Sequence, residues 1–95
     1  MQNTDIIELF ERYLREDKKA SANTLSSYLR DIRQLSEYLE TRCDTDIISA
    51  GEDELGEYIA WLRGNGKSVA TVSRCIASVK CLYTHLCIKQ ILEHN

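Results

Sequence analysis

The chain has 95 residues, 43% hydrophobic and 28% charged, with no proline and four glycines. That length fits one small domain, and the surplus of helix formers over alternating β-branched runs points to an all-α fold. The net charge of −3 argues against indiscriminate binding to nucleic acid. No apolar run approaches the length of a membrane span, and MQNTDIIELF lacks the basic start of a signal peptide, so the expected compartment is the cytoplasm.

The first helix is expected to start at Thr4 as N-cap, with Asp5 in its first turn, and to end near Glu16. Ile6, Phe10, Tyr13 and Leu14 form its buried stripe, and DKKAS is a polar connector. Ser21 caps a second helix running to about Thr41. Leu25, Tyr28, Leu29, Ile32, Leu35 and Leu39 hold its inner face, and Asn23, Ser26, Ser27, Arg30, Arg33 and Gln34 hold its outer face. After a loop around Cys43 to Ile48, Ser49 and Glu52 read as a capping box for a third helix. Its core stripe is Leu55, Tyr58, Ile59 and Leu62, and Arg63-Gly64 stops it before the tight turn Gly64-Asn65-Gly66. Ser68 caps the fourth helix, expected to run to about Ile91.

The fourth helix carries the most telling pattern. Lys67, Thr71, Arg74 and Ser78 are spaced 4, 3 and 4 apart and share a face; Val69, Val72, Ile76, Val79, Tyr83 and Leu86 form an apolar stripe opposite. Cations and hydroxyls in such a row suit phosphates and base edges, although a merely solvated face has the same composition. Charge is also unevenly spread. Residues 1–63 hold 8 Lys/Arg against 14 Asp/Glu, whereas residues 64–95 hold Lys67, Arg74, Lys80 and Lys89 against Glu93 alone. The expected core is Phe10, Leu14, Leu25, Ile32, Leu35, Leu39, Ile59, Leu62, Val72, Ile76, Val79 and Tyr83.

Little points to catalysis. Cys43, Cys75, Cys81 and Cys87 include no CxxC pair, so they read as thiols acting as small hydrophobes, with no metal site. His85 and His94 are the only histidines, and no catalytic role is expected of His85. Glu52, Asp53, Glu54 and Glu57 suit the positive end of a helix dipole and a solvated face. No phosphate-binding glycine loop is present, and no cofactor is expected.

Three segments in order carry a resemblance. Ser21-Ala-Asn-Thr24-Leu-Ser-Ser-Tyr28-Leu-Arg-Asp31-Ile-Arg-Gln-Leu35, with Tyr38-Leu39 beyond it, resembles the Ser-x-x-Thr-x-x-x-Tyr-x-x-Asp-Leu pattern of the N-terminal core-binding (SAM-like) domain of tyrosine recombinases and phage integrases, including the Xer type. Residues 6–16 resemble that domain's first helix and residues 49–63 its third. Ser68-Val-Ala-Thr71-Val-Ser-Arg74-Cys-Ile76-Ala-Ser78-Val-Lys80-Cys-Leu-Tyr83 resembles its last, with Ala77-Ser78 in place of the usual Ser-Ala.

The resemblance implies an orthogonal four-helix bundle, with residues 1–95 as one core-binding domain whose second and fourth helices approach the major groove of double-stranded DNA. It implies Asn23, Thr24, Ser27 and Arg30 on helix 2, and Lys67, Thr71, Arg74 and Ser78 on helix 4, as the DNA-facing set. Arg30, Lys67 and Arg74 then neutralise phosphates, while Thr71 and Ser78 touch base edges or water. Thr24 has two open roles, a phosphate donor or a support for the Ser21 cap, and Asp31 is expected to pair with a nearby cation. The family's Arg…His-x-x-Arg…Tyr catalytic set belongs to a further C-terminal domain, expected to be absent from this chain, so none of the five tyrosines is assigned as a nucleophile. The implied role is that of a non-catalytic DNA-binding module in DNA recombination and integration, monomeric in isolation, that meets other recombinase subunits on DNA in the full-length protein and has no membrane contact. The alternative is a helical protein-interaction module, which the acidic surface of helices 1 and 3 would suit.

Overall fold

The computed structural model describes residues 1–92, so His94 lies outside the described residues. They form four helices: α1 (Asn3–Arg12), α2 (Ala22–Arg42), α3 (Glu52–Gly64) and α4 (Val69–Ile88), with no strand among the described residues. α2 and α4 share the most extensive packing, α1 leans on α2, and α3 packs against α4 and, less extensively, α2. The expected all-α four-helix bundle is what forms.

α2 and α4 begin where expected, and for one reason. Each follows a Ser-x-x-Thr sequence in which the serine hydroxyl accepts the threonine N–H, at 3.2 Å for Ser21 and Thr24 and 3.1 Å for Ser68 and Thr71. One otherwise orphaned donor of each first turn is thereby satisfied.

α1 starts earlier than Thr4 suggests, with Gln2 as its cap. Asp5 accepts the Gln2 N–H at 3.0 Å. Asn3 is buried, donating to Ser36 at 2.9 Å and Glu40 at 3.1 Å and accepting the Ile47 N–H at 3.0 Å. These tertiary bonds outweigh the local capping preference of Thr4. α1 then loosens into a π-helical turn, Tyr13–Asp17, that buries Leu14, and Lys19 with φ 49° turns the chain toward α2.

The third helix is shifted too. Gly51, not Ser49, is its cap; Glu54 accepts the Gly51 N–H at 2.7 Å, while the Ser49 N–H donates to Asp46 at 2.8 Å in a preceding turn. At its far end Gly66 has φ 77°, a left-handed conformation that glycine adopts without a Cβ penalty. The fourth helix ends at Ile88, three residues short of Ile91.

Ile6, Phe10, Ile32, Leu35, Leu39, Ile47, Tyr58, Leu62, Leu82 and Leu86 are fully enclosed. Of the expected core, Leu25, Ile59, Ile76 and Val79 are half-buried at its edge. Ile47 is an addition from a loop. Asn3 holds its N–H, and its carbonyl accepts the Tyr83 hydroxyl at 2.6 Å.

His85 is an unusual core member. It stacks on Tyr13 with centroids 4.1 Å apart, and neither ring nitrogen has a hydrogen-bond partner. Burial pushes its pKa below 6.5, the neighbouring Lys89 ammonium adds to the effect, and the Asp17 carboxylate opposes it. The folded state therefore binds the imidazole proton less readily than the unfolded chain. The contribution of neutral His85 is present above its ordinary value of 6.5 and is lost as pH falls through that value toward the lowered one. Thermal melts between about pH 5 and pH 8 should show wild type losing more stability on acidification than His85→Phe, whose profile lacks this component.

Candidate nucleic-acid interface

The packed pair α2 and α4 leaves a shallow groove lined by Arg30, Asp31, Arg33, Gln34, Glu37, Lys67, Thr71 and Arg74. It brings together four of the eight residues expected to face DNA: Arg30, Lys67, Thr71 and Arg74. Asn23 and Thr24 lie on the exposed first turn of α2, outside the groove lining, and Ser27 is half-buried. Arg33 lines the groove although it was not among the expected contacts. It stands three residues after Arg30, and that helical spacing was the available signal.

Ser78 is where the sequence reading fails. Its side chain is 0% exposed, and its hydroxyl donates to Asp31 at 2.8 Å and lies 3.0 Å from the Arg74 carbonyl. It presents nothing to a base edge. The cause is the rotation of α4. Its buried face runs through Val72, Cys75, Leu82 and Leu86, so position 78 turns inward, while Val69, expected on the apolar stripe, is 84% exposed.

Asp31 is buried beneath the groove and organises it. One carboxylate oxygen accepts Arg74 Nε–H at 3.0 Å together with the Ser78 hydroxyl; the other accepts Arg74 Nη2–H at 2.8 Å. The expected Asp31–cation pair is thus a two-point clamp on Arg74. The hydrogen bonds to Asp31 push the Arg74 pKa upward. The Arg74 side chain remains 37% exposed, against 2% for Asp31, so its outer edge reaches the groove while its inner edge is committed.

The exposed cations of the groove are Arg30, Arg33 and Lys67. Apart from Asp31, the only carboxylate in its lining is Glu37. The acidic cluster Glu52, Asp53, Glu54 and Glu57 opens α3 and contributes nothing to that lining. The two Ser-x-x-Thr starts add hydroxyls: Thr24 and Thr71 each accept a hydrogen bond from the capping serine at 3.0 Å, which leaves their own protons to donate. For Thr24 this shows the cap-supporting role directly.

Three of the five tyrosines, Tyr38, Tyr58 and Tyr83, are buried. Desolvation pushes the Tyr58 and Tyr83 phenols well above their ordinary value. Tyr38 packs between Tyr58 and Trp61, with centroids 5.1 Å from each, and Arg42 lies 5.5 Å above the Trp61 ring. Burial likewise raises the thiol pKa of Cys75 and Cys81, which makes them poor nucleophiles. No helix among the described residues is long and apolar enough to cross a membrane.

Comparison with known proteins agrees with this architecture. Residues 7–90 match the family described as phage integrase, N-terminal SAM-like domain. The tyrosine recombinase XerD of Oceanobacillus iheyensis is 37% identical over 92 residues, covering 94% of this chain and 30% of the relative. XerD of Listeria innocua is 32% identical over 92 residues, covering 96% and 31%. XerD of Mycobacterium tuberculosis is 35% identical over 71 residues, covering 74% and 23%. No solved structure gives a significant match. The chain spans less than a third of the length of these curated relatives. With four helices, ordered Ser-x-x-Thr starts and a match over nearly its whole length, the chain belongs to the N-terminal SAM-like domain family of phage integrases and tyrosine recombinases.

Proposed function

We propose that residues 1–95 are the non-catalytic DNA-binding module of a tyrosine recombinase, which holds the recombination site in the cytoplasm by laying α2 and α4 against duplex DNA. The observation that carries this reading is the groove that gathers Arg30, Arg33, Lys67 and Arg74 on a chain whose net charge is −3. A protein acidic overall that concentrates cations on one face directs a polyanion to that face and repels it from the rest. Arg30, Arg33 and Lys67 carry the phosphate contacts, and the Thr24 and Thr71 hydroxyls at the helix starts supplement them. Strand cleavage and rejoining belong to the length that the relatives have beyond the matched region, and other recombinase subunits are the partners met on DNA.

Titration of the chain with a duplex across salt concentrations tests this. Each phosphate contact contributes about one unit to the slope of log affinity against log salt. Lys67→Ala and Arg30→Ala should each weaken binding and flatten that slope by roughly 1, whereas Asp53→Asn on α3 should leave it unchanged.

The second reading, a protein-interaction module, has its own observation. A partly apolar trough between the start of α3 and the outer half of α4 is lined by Ile48, Leu55, Val79, Tyr83, Ile91 and Leu92, among others. On that reading the chain shows no salt-sensitive duplex binding.

A further inference from the structure

We infer that Arg74 is a base-reading residue, held by Asp31 to present a two-pronged donor edge to guanine in the major groove, and is not one of the phosphate clamps. This rests on the proposed DNA-binding role of the α2–α4 groove. The sequence alone places Arg74 with Lys67 and Arg30 as one more cation for the backbone; the geometry separates it from them.

A guanidinium has five N–H donors in a fixed plane. Asp31 takes Nε–H and one proton of Nη2, at 3.0 and 2.8 Å. What remains is the end of the fork, the second Nη2 proton beside the Nη1 protons, on a side chain that is 37% exposed and lines the groove. Two parallel N–H groups match the O6 and N7 acceptors of guanine. Three features favour that acceptor over a phosphate. The Asp31 carboxylate offsets the Arg74 charge at contact distance, so little counterion release is left for a phosphate to gain. Asp31 is itself fixed by Ser78, which is fully buried, so the fork has one orientation and loses little entropy on docking. Finally, Lys67, Arg30 and Arg33 are exposed around the same groove and are available for the backbone. A fixed directional donor with exposed cations lining the same groove is the division between contacts that specify and contacts that position. Asp31 and Ser78 then act through Arg74 as positioning residues.

Selection from a randomised duplex pool, followed by salt titrations of the selected duplex and a scrambled one, tests this. Wild type should enrich a site containing a guanine whose replacement costs about tenfold or more in affinity. Arg74→Lys keeps a cation opposite Asp31 but has no fork; it should bind the scrambled duplex as wild type does and lose the guanine preference. Asp31→Asn should lose the same preference while its salt slope steepens by about one unit, because the Arg74 charge is no longer offset. Thermal melts confirm that each variant is folded, and Arg74→Lys carries the test alone if Asp31→Asn is not. An Arg74→Lys chain that still selects the same guanine overturns the assignment, as does an Asp31→Asn chain with both slope and preference unchanged. A wild-type chain that binds both duplexes but prefers no guanine overturns it while leaving the DNA-binding role intact. A wild-type chain that binds no duplex at low salt overturns both.

Discussion

Arg74→Ala is expected to lower the folding stability of the domain by about 3 kcal/mol, an effect large enough to mask any loss of ligand binding. The loss comes from the partner. Asp31 is 2% exposed, and removing the guanidinium takes away its counterion and two of its hydrogen bonds, leaving the carboxylate to the Ser78 hydroxyl and the Cys75 thiol. Breaking a buried pair from one side typically costs about 3–5 kcal/mol; the partial exposure of Arg74 lets water reach the carboxylate and places this case at the lower end. Replacing both partners should behave differently. Asp31→Leu with Arg74→Met removes the charge together with its counterion, and Ser78 can still donate to the Arg74 backbone carbonyl. The double variant should recover most of the lost stability in chemical denaturation. If the double variant is as unstable as Arg74→Ala, packing at these positions matters more than the stranded carboxylate.

Phe10→Ala should be still more damaging, at about 3–5 kcal/mol. Phe10 is 0% exposed and sits where α1 meets the end of α4, with its ring centroid 6.3 Å from His85 and 6.4 Å from Tyr13. Its removal opens a cavity beneath α1, beside the His85 and Tyr13 rings. For a domain of this size, whose whole stability is about 5–15 kcal/mol, that leaves little margin. Val69→Ala is the matching control. The sequence pattern places Val69 on the apolar stripe, but it is 84% exposed, so its truncation should change stability by less than about 0.5 kcal/mol. A pronounced drop in melting temperature for Val69→Ala, or none for Phe10→Ala, would contradict the burial of Phe10 and the exposure of Val69.

The four helices were legible because their signals are local: the Ser-x-x-Thr caps of α2 and α4, the apolar period of α2, and Arg63-Gly64 at the end of α3. The errors occur where distant residues decide. Asn3 became part of α1 because Ser36, Glu40 and Ile47 satisfy its side chain. Ile47 is core because a loop is tied down on both sides, and periodicity does not register an apolar residue in a loop. The candidate site was half legible. Arg30, Lys67, Thr71 and Arg74 do share a groove, since spacing places residues on a face. Spacing alone left the rotation of that face undecided. Cys75 and Leu82 pull α4 round until Ser78 is buried. The carboxylate that commits Arg74 lies 43 residues earlier in the chain, so a like-charge inventory counted Arg74 as an uncommitted cation.

The central claim is that duplex DNA meets the α2–α4 face. Its most direct test is mapping backbone amide shifts as a mixed-sequence duplex of about 20 base pairs is titrated in at low salt, where phosphate contacts are strongest. The account predicts perturbations concentrated in residues 23–34 and 67–74, with residues 52–57 and the trough at Ile48, Leu55 and Val79 unmoved. Perturbations concentrated on the acidic start of α3 or along that trough, with the groove unaffected, would contradict it.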